Sequence, residues 1–228
     1  MNESAPKEVV RGYAVRREIW QLGGRPIQLV WPEDMDALLD SRQTQERFAR
    51  NEYMPYWAQP WPAGILLAEH ILAGEPGQGR HAVEIGCGVG LVSVAAAMMG
   101  WRVTASDYDD DALAFARLNA ELNEVRLEAT EWIDFVEQAP PRRYDCVFAA
   151  DLLYERRLSE PVARWIAAAL EPGGYALASD PNRSAASSFP EFLAGYGLNG
   201  EMQEVQTTAP AGLLTRGRIW RITLMAKP

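Results

Sequence analysis

The chain has 228 residues, 48% of them hydrophobic, which suits one domain with an extension and allows a sizeable core. Lys and Arg number 22 against 31 Asp and Glu, a formal charge of −9, and no dense Lys/Arg block occurs. This balance argues against nucleic acid as a partner, because such binding rests mainly on cationic contacts to phosphate, but it leaves a basic protein open.

Met1 to Arg11 carries charges where a secretory signal needs an apolar core, and no apolar run is long enough to cross a bilayer. A cytoplasmic protein with no membrane partner is expected. From Tyr13 to Trp31 two strands flank Gly23-Gly24, a hairpin signal. Asp34 or a neighbour caps a predicted helix running to about Asn51, with Leu38, Leu39 and Phe48 on its apolar side. Residues 1–52 are read as this hairpin-and-helix extension, and 53–228 as the main domain. The segment Tyr53-Met54-Pro55-Tyr56-Trp57-Ala58-Gln59-Pro60-Trp61-Pro62 is too rich in aromatic residues and prolines for either regular state. It reads as an ordered loop lying against other elements. Pro62 suits a first helical turn, and Ile65, Leu66, Leu67, Ala68, Ile71 and Leu72 predict a helix ending near Gly74.

Strand and helix then alternate. The pattern predicts strands at about 81–85, 101–106, 125–128, 144–150 and 174–179, and helices at about 90–99, 109–122, 158–170 and 184–195. Such alternation argues for a parallel sheet with helices on both faces. Glu201 to Thr208 and Arg218 to Ala226 are strand-like around a turn-rich Thr207–Gly217, which predicts a closing hairpin. Cys87 and Cys146 fall in separate core elements and read as buried free thiols, and neither they nor His70 and His81 have partners at metal spacing. No metal is expected.

The most informative run is Val83-Glu84-Ile85-Gly86-Cys87-Gly88-Val89-Gly90, a buried strand turning through three glycines into a helix, with Asp107 closing the next strand. Glycine lets backbone bend sharply and come within contact distance of a ligand. The spacing is G-x-G-x-G; Leu91 stands where a dinucleotide fingerprint has its third glycine, and Glu84 precedes the first. A carboxylate there repels a pyrophosphate but accepts charge-assisted hydrogen bonds from an ammonium group. The ligand is therefore expected to carry a cation. Asp107, acceptor-only when ionised, can take both hydroxyls of a sugar.

These residues resemble the principal cofactor loop, E-x-G-x-G-x-G, of the class I S-adenosylmethionine-dependent methyltransferases. The resemblance implies that Gly86, Gly88 and Gly90 pass close to the methionine moiety, that Glu84 supports it and that Asp107 binds the ribose. It also implies a seven-stranded, doubly wound and mostly parallel α/β sheet whose last strand is antiparallel, on which point it agrees with the pattern of strands.

In an open parallel sheet the ligand lies beyond the carboxyl ends of the strands, so residues just after each strand are candidates: Tyr108, Glu131, Trp132, Asp151 and Asp180. Tyr108 can pack on ribose or adenine. Trp132, with Glu131, falls where the family usually covers the adenine ring, the alternative being a surface aromatic. Trp57 and Trp61 can attract a sulfonium or an acceptor ammonium through their ring faces, or simply seal the core.

Asp151-Leu152-Leu153-Tyr154-Glu155 follows the strand at 144–150, and its D-x-x-Y pattern resembles the post-strand motif of the seven-strand protein lysine methyltransferases. Together with the Trp61-Pro62 helix start and Asp180-Pro181-Asn182-Arg183, it looks most like the branch of the electron-transfer flavoprotein beta-subunit lysine methyltransferases and bacterial relatives. By that resemblance Asp151 and Tyr154 bind and orient an acceptor amine, and Asp180 and Arg183 join Trp57 in holding substrate. The alternatives are a helix cap and core aromatic for the first pair and a loop ion pair for the second. That branch often has D-P-G-R, so Asn182 departs from it; Asn tolerates left-handed backbone, which allows the turn to survive. The expected activity is methyl transfer from S-adenosylmethionine to a protein lysine. The alternatives are a small-molecule N- or O-methyltransferase and a catalytically silent binding module on the same fold.

Overall fold

The computed structural model describes residues 8–208, 210, 212 and 214–226. The start of the charged N-terminal stretch, Met1–Lys7, lies outside them, as do Ala209, Ala211 and Leu213 of the Thr207–Gly217 connection and Lys227–Pro228. Short strand β1 (Val9–Val10) and strands β2 (Tyr13–Leu22) and β3 (Arg25–Pro32) form an antiparallel sheet. Its tight turn is Gly23-Gly24, both at positive φ (55° and 73°), as a two-residue hairpin with the natural strand twist requires.

The single helix expected over 34–51 is two helices, α1 (Met35–Leu39) and α2 (Arg42–Asn51). Asp34 caps the first and Ser41 the second, whose hydroxyl accepts from the Thr44 N–H. Ser41 satisfies an orphan amide with its own side chain, so breaking the helix there costs little. The expected apolar stripe does not form: Leu38 and Leu39 are half-buried, and Phe48 is 50% exposed.

The aromatic loop contains a 3₁₀ turn at Tyr56–Ala58 and leads to α3 (Pro62–Ala73), with Pro62 in its first turn. There follow β4 (His81–Ile85), α4 (Leu91–Met98), β5 (Arg102–Asp107), α5 (Asp110–Leu122), β6 (Ala129–Trp132), β7 (Tyr144–Ala150), α6 (Arg156–Ala169), β8 (Leu170–Asp180), α7 (Phe189–Gly195), β9 (Leu198–Thr208) and β10 (Leu214–Leu224). The seven-stranded sheet has the order β6-β5-β4-β7-β8-β10-β9, parallel except for β10, which runs antiparallel to both β8 and β9.

Strand β6 begins at Ala129, four residues after the predicted start at 125. The Val125 N–H is taken by the Ala120 carbonyl at the end of α5, so the apolar residues there serve a connection and pairing begins at Ala129 against Thr104. The helix predicted over 184–195 opens as a 3₁₀ turn at Ser184–Ser188, because Pro190 in the first turn of α7 has no N–H to continue an earlier helix.

Alternation along the strands divides the core. Ala82, Val103, Cys146 and Phe148 face one side, with α3, α4, α5 and the hairpin residues Leu22, Ile27, Leu29 and Val30. Val83, Ile85, Val147 and Ala149 face the other, with α6 and α7. Cys87 and Cys146 are both buried and free. Among the described residues no helix is long and apolar enough to cross a membrane.

The hairpin is clamped to the main sheet by two asparagines of α5 and its cap. Asn119 accepts from the Val30 N–H (2.7 Å) and donates to the Val30 and Val89 carbonyls (2.9 and 2.8 Å). Asn123, four residues on, does the same for Gln28 N–H and C=O (2.8 and 2.7 Å). Side chains at i and i+4 share a helix face, and strand groups at i and i+2 share an edge. The two amides thus act as a surrogate strand against β3 and cover an edge that would otherwise be open.

Candidate active site

The chain leaves β4 one way, toward β5 and β6, and the other way toward β7 and β8, so the carboxyl ends of β4, β5 and β7 open onto one crevice. A cavity of about 240 Å³ fills it. Gly88, at φ 51°, lies on its floor, where a Cβ would stand 3.2 Å from the Trp57 carbonyl, and its N–H donates to Asp107 Oδ2 at 2.9 Å. Gly86 lines the same floor. Gly90 does not. It caps α4 at φ 84°, and a Cβ there would meet Ala116 at 2.7 Å, so this glycine serves the packing of α4 on α5.

Glu84 lies in the cavity wall, buried, with its Oε2 accepting from the Ser93 hydroxyl at 2.5 Å. Burial pushes its pKa up to about 8, and neighbouring Asp107 adds to the rise. Asp107 is likewise pushed up by burial to about 7, although the N–H groups of Gly88 and Asp109 (2.9 and 3.1 Å) favour its charge. Two carboxyls sharing an apolar crevice call for a ligand that brings donors or positive charge to both. Tyr108 stands beside Asp107, 38% exposed, its hydroxyl donating to the Met54 carbonyl at 3.3 Å.

The aromatic loop supplies another wall. Trp61 donates its indole N–H to the Tyr56 carbonyl (2.5 Å), and the Tyr56 ring meets Trp61 and Tyr154 edge-on at centroid distances of 6.0 and 5.5 Å. Trp57 borders the cavity, but its ring is committed to the core: it packs on Phe115 and Tyr13 (5.5 and 5.7 Å) and donates to the Tyr53 hydroxyl.

Asp151 follows β7 in left-handed backbone, φ 56°, uncommon for a residue with a Cβ and a form of strain that clusters at functional sites. Its Oδ2 accepts from the Ala63 N–H at the start of α3 (3.2 Å), and its Oδ1 lies 3.1 Å from Arg183 Nη2. Burial raises its pKa, and the Arg183 charge opposes the rise. Tyr154 also faces the cavity, and burial lifts its hydroxyl to about 12.

The Asp180–Arg183 side-chain pair considered from sequence does not form. Asp180 is fully buried outside the cavity, bound by both ends of its carboxylate to Arg218 (2.8 and 3.1 Å), and it accepts only the backbone N–H of Arg183. Its burial and two-pronged pair suit it to holding the loop, away from any ligand. Asn182, at φ 68°, adopts the left-handed conformation that its tolerance for positive φ allowed.

Trp132 is also outside the cavity. It is 50% exposed, on a shallow surface depression with Glu131 and Gln138, whereas its neighbours Ile133 and Phe135 line the crevice. The four-residue shift of β6 places Glu131 and Trp132 within the strand, and Ile133 and Phe135 take the inward positions that follow it. Sequence reasoning missed Ile133 and Phe135, whose i, i+2 spacing was the available signal. It also missed Ser93 on the first turn of α4.

The fold is that of a Rossmann-like methyltransferase. The N-methyltransferase NodS from Bradyrhizobium japonicum, solved with S-adenosyl-L-homocysteine, superposes with a TM-score of 0.54 at 16% identity, over 83% of this chain and 91% of that one. Residues 59–221 match the family model for a methyltransferase domain, and the chain belongs to that family. The electron transfer flavoprotein beta subunit lysine methyltransferase of Danio rerio is 31% identical over 134 residues, 57% of this chain and 51% of that protein. Its Xenopus laevis counterpart is 31% identical over 161 residues, 66% of this chain and 64% of that protein. The match therefore spans between half and two-thirds of the length of these relatives.

The family's cofactor is S-adenosylmethionine, and the residues present fit it. Glu84 can accept from its ammonium group, Asp107 offers acceptors for its ribose hydroxyls, and a side chain at Gly88 would intrude on the loop.

Proposed function

We propose that this protein transfers a methyl group from S-adenosylmethionine to the amine of a protein lysine. The observation that carries this reading is Asp151, a buried carboxylate in left-handed backbone that opens onto the same crevice as Glu84 and Asp107. When bound, the cofactor supplies an electrophilic methyl group on a sulfonium.

Glu84 holds the cationic end of the donor and Asp107 its sugar. Tyr56 and Trp61 exclude water from one side. Asp151 binds the incoming ammonium; once a proton has left to solvent, Asp151 and the Tyr154 hydroxyl hold the amine with its lone pair turned into the crevice. Orientation of this kind can supply much of the rate of an in-line displacement. The similarity to the lysine methyltransferases of Danio rerio and Xenopus laevis supports the choice of acceptor.

A small-molecule acceptor is the second reading, favoured by the edge-on rings of Tyr56, Trp61 and Tyr154 along one wall. The test is to incubate the purified protein with radiolabelled S-adenosylmethionine and lysate of its source cells. Label on protein bands, placed on lysine by tandem mass spectrometry, supports the first reading. Label confined to the small-molecule fraction refutes it in favour of the second.

A further inference from the structure

Two arginines serve the turn that follows β8 in contrasting states, and of the two Arg183 lines the crevice. Arg218 is 16% exposed and grips Asp180 with both prongs. Arg183 is 36% exposed and touches Asp151, itself only 6% exposed, through one nitrogen. The base of Arg183 is fixed, because its N–H donates to Asp180 Oδ1 (2.9 Å) and its carbonyl accepts from Arg218 Nη2 (3.1 Å). Only its side chain is free to swing.

Asp151 Oδ1 is buried and has no aligned hydrogen bond, so the guanidinium is its charge partner without being a well-made one. A half-exposed ion pair of this sort is weak, because the cation regains water when it leaves. A buried carboxylate stripped of its cation is far more costly, and among the described residues Arg183 is the one ion-pair partner of Asp151. Exchange of one cation for another is therefore easy at this position, and entry of a neutral group in place of the cation is not.

We propose that Arg183 is an internal occupant of the acceptor's cation subsite, displaced from Asp151 when a substrate ammonium arrives. This rests on the lysine reading above and deepens it: the subsite accepts a primary ammonium on a flexible stem and rejects an alcohol, which cannot replace the charge that Arg183 withdraws. The arm returns when the product leaves, so Asp151 always has a cationic partner.

The experiment is an NMR titration of n-butylammonium chloride, at constant ionic strength, into protein saturated with S-adenosylhomocysteine, with n-butanol as the neutral control. Arg183→Met, which keeps the stem and removes the charge, is expected to bind n-butylammonium about fivefold tighter, the scale of a half-exposed ion pair. Arg183→Lys keeps a competing cation and should stay close to wild type, while Asp151→Asn should lose binding. n-Butanol should bind no tighter to Arg183→Met than to wild type. If Asp151→Asn loses binding but Arg183→Met is unchanged or weaker, the occupant role is refuted and the lysine reading stands. If Asp151→Asn binds as well as wild type, both fall.

Discussion

Replacing Glu84 with Gln tests the electrostatics on which the cofactor site depends. The Glu84 carboxyl rises from 4.5 to about 8 because it is buried, with the Ser93 hydroxyl as its main polar partner. The folded chain thus binds this proton more tightly than the unfolded chain, so the stability it contributes is fully present below pH 4.5 and is lost as pH rises to about 8. A shift of that size corresponds to ~4 kcal/mol between pH 5 and pH 8 or above. Gln keeps the shape and the bond to Ser93 and carries no charge at any pH. Without ligand, Glu84→Gln and wild type should therefore have similar stability near pH 5, with the variant ahead by up to ~4 kcal/mol at pH 8. Urea unfolding followed by tryptophan fluorescence at the two pH values measures this. Parallel pH profiles for the two proteins would refute the reasoning.

Ligand reverses the sign. An ammonium beside Glu84 favours the ionised carboxylate, and ribose hydroxyls favour the ionised Asp107, so the donor must expel protons to bind below about pH 7. Affinity for S-adenosylhomocysteine should rise with pH until about 8, where Glu84 ionises unaided. Calorimetry at pH 6 in buffers of different ionisation enthalpy counts the protons released: near two for wild type, and no more than the Asp107 proton for Glu84→Gln, which should also bind more weakly.

Gly90→Ala should destabilise by ~3 kcal/mol, from left-handed strain together with overpacking against Ala116, as measured by urea unfolding. Asn119→Ala should cost about as much, ~3 kcal/mol, because it strands the buried N–H and carbonyl of Val30 and the carbonyl of Val89; hydrogen exchange at the Val30 amide should accelerate with it. Trp132→Ala should leave S-adenosylhomocysteine affinity within about twofold of wild type, while Ile133→Ala weakens it more. A tenfold loss for Trp132→Ala would restore the adenine-covering role read from sequence.

What the sequence disclosed follows from the range of the forces involved. The glycine loop and Asp107 were legible because the backbone turn and the carboxylate are local demands, written in consecutive residues and one strand spacing. The sheet was legible because burial on both faces writes a run of apolar residues for each strand, and the antiparallel end showed as two strands with no helix between them. Trp132 was misjudged because the start of β6 depends on pairing with β5: Val125 and Leu127 look like strand, yet the ladder opens at Ala129 against Thr104. Asp180 was misjudged because its partner, Arg218, is 38 residues away on an antiparallel neighbour, and no local signal distinguishes that pairing from one with Arg183. The two asparagines that clamp the hairpin were unreadable for the same reason, since an Asn in a helix writes no mark of what it will bind.

The same acidic turn that opens onto the crevice also anchors the N-terminal elements. Asp107 faces the crevice. Two residues on, Asp109 caps α5 through the Asp111 N–H (2.8 Å), takes the Tyr53 hydroxyl, and lies 3.5 Å from Arg47 of α2. Asp111 in turn binds Arg11 and the Tyr13 hydroxyl at 2.5 and 2.6 Å. Arg47 lies over the Tyr53 ring at 3.3 Å, and Trp57 donates to the Tyr53 hydroxyl, so this turn is a second anchor for the N-terminal elements beside the Asn119 and Asn123 clamp. Four carboxylates within five residues, Asp107, Asp109, Asp110 and Asp111, would repel one another if left bare, and the cations and hydroxyls brought by the N-terminal segment relieve that repulsion. The segment is thus part of what keeps Asp107 placed and chargeable beside the glycine loop, and the electrostatics of the crevice extend well beyond the residues that line it.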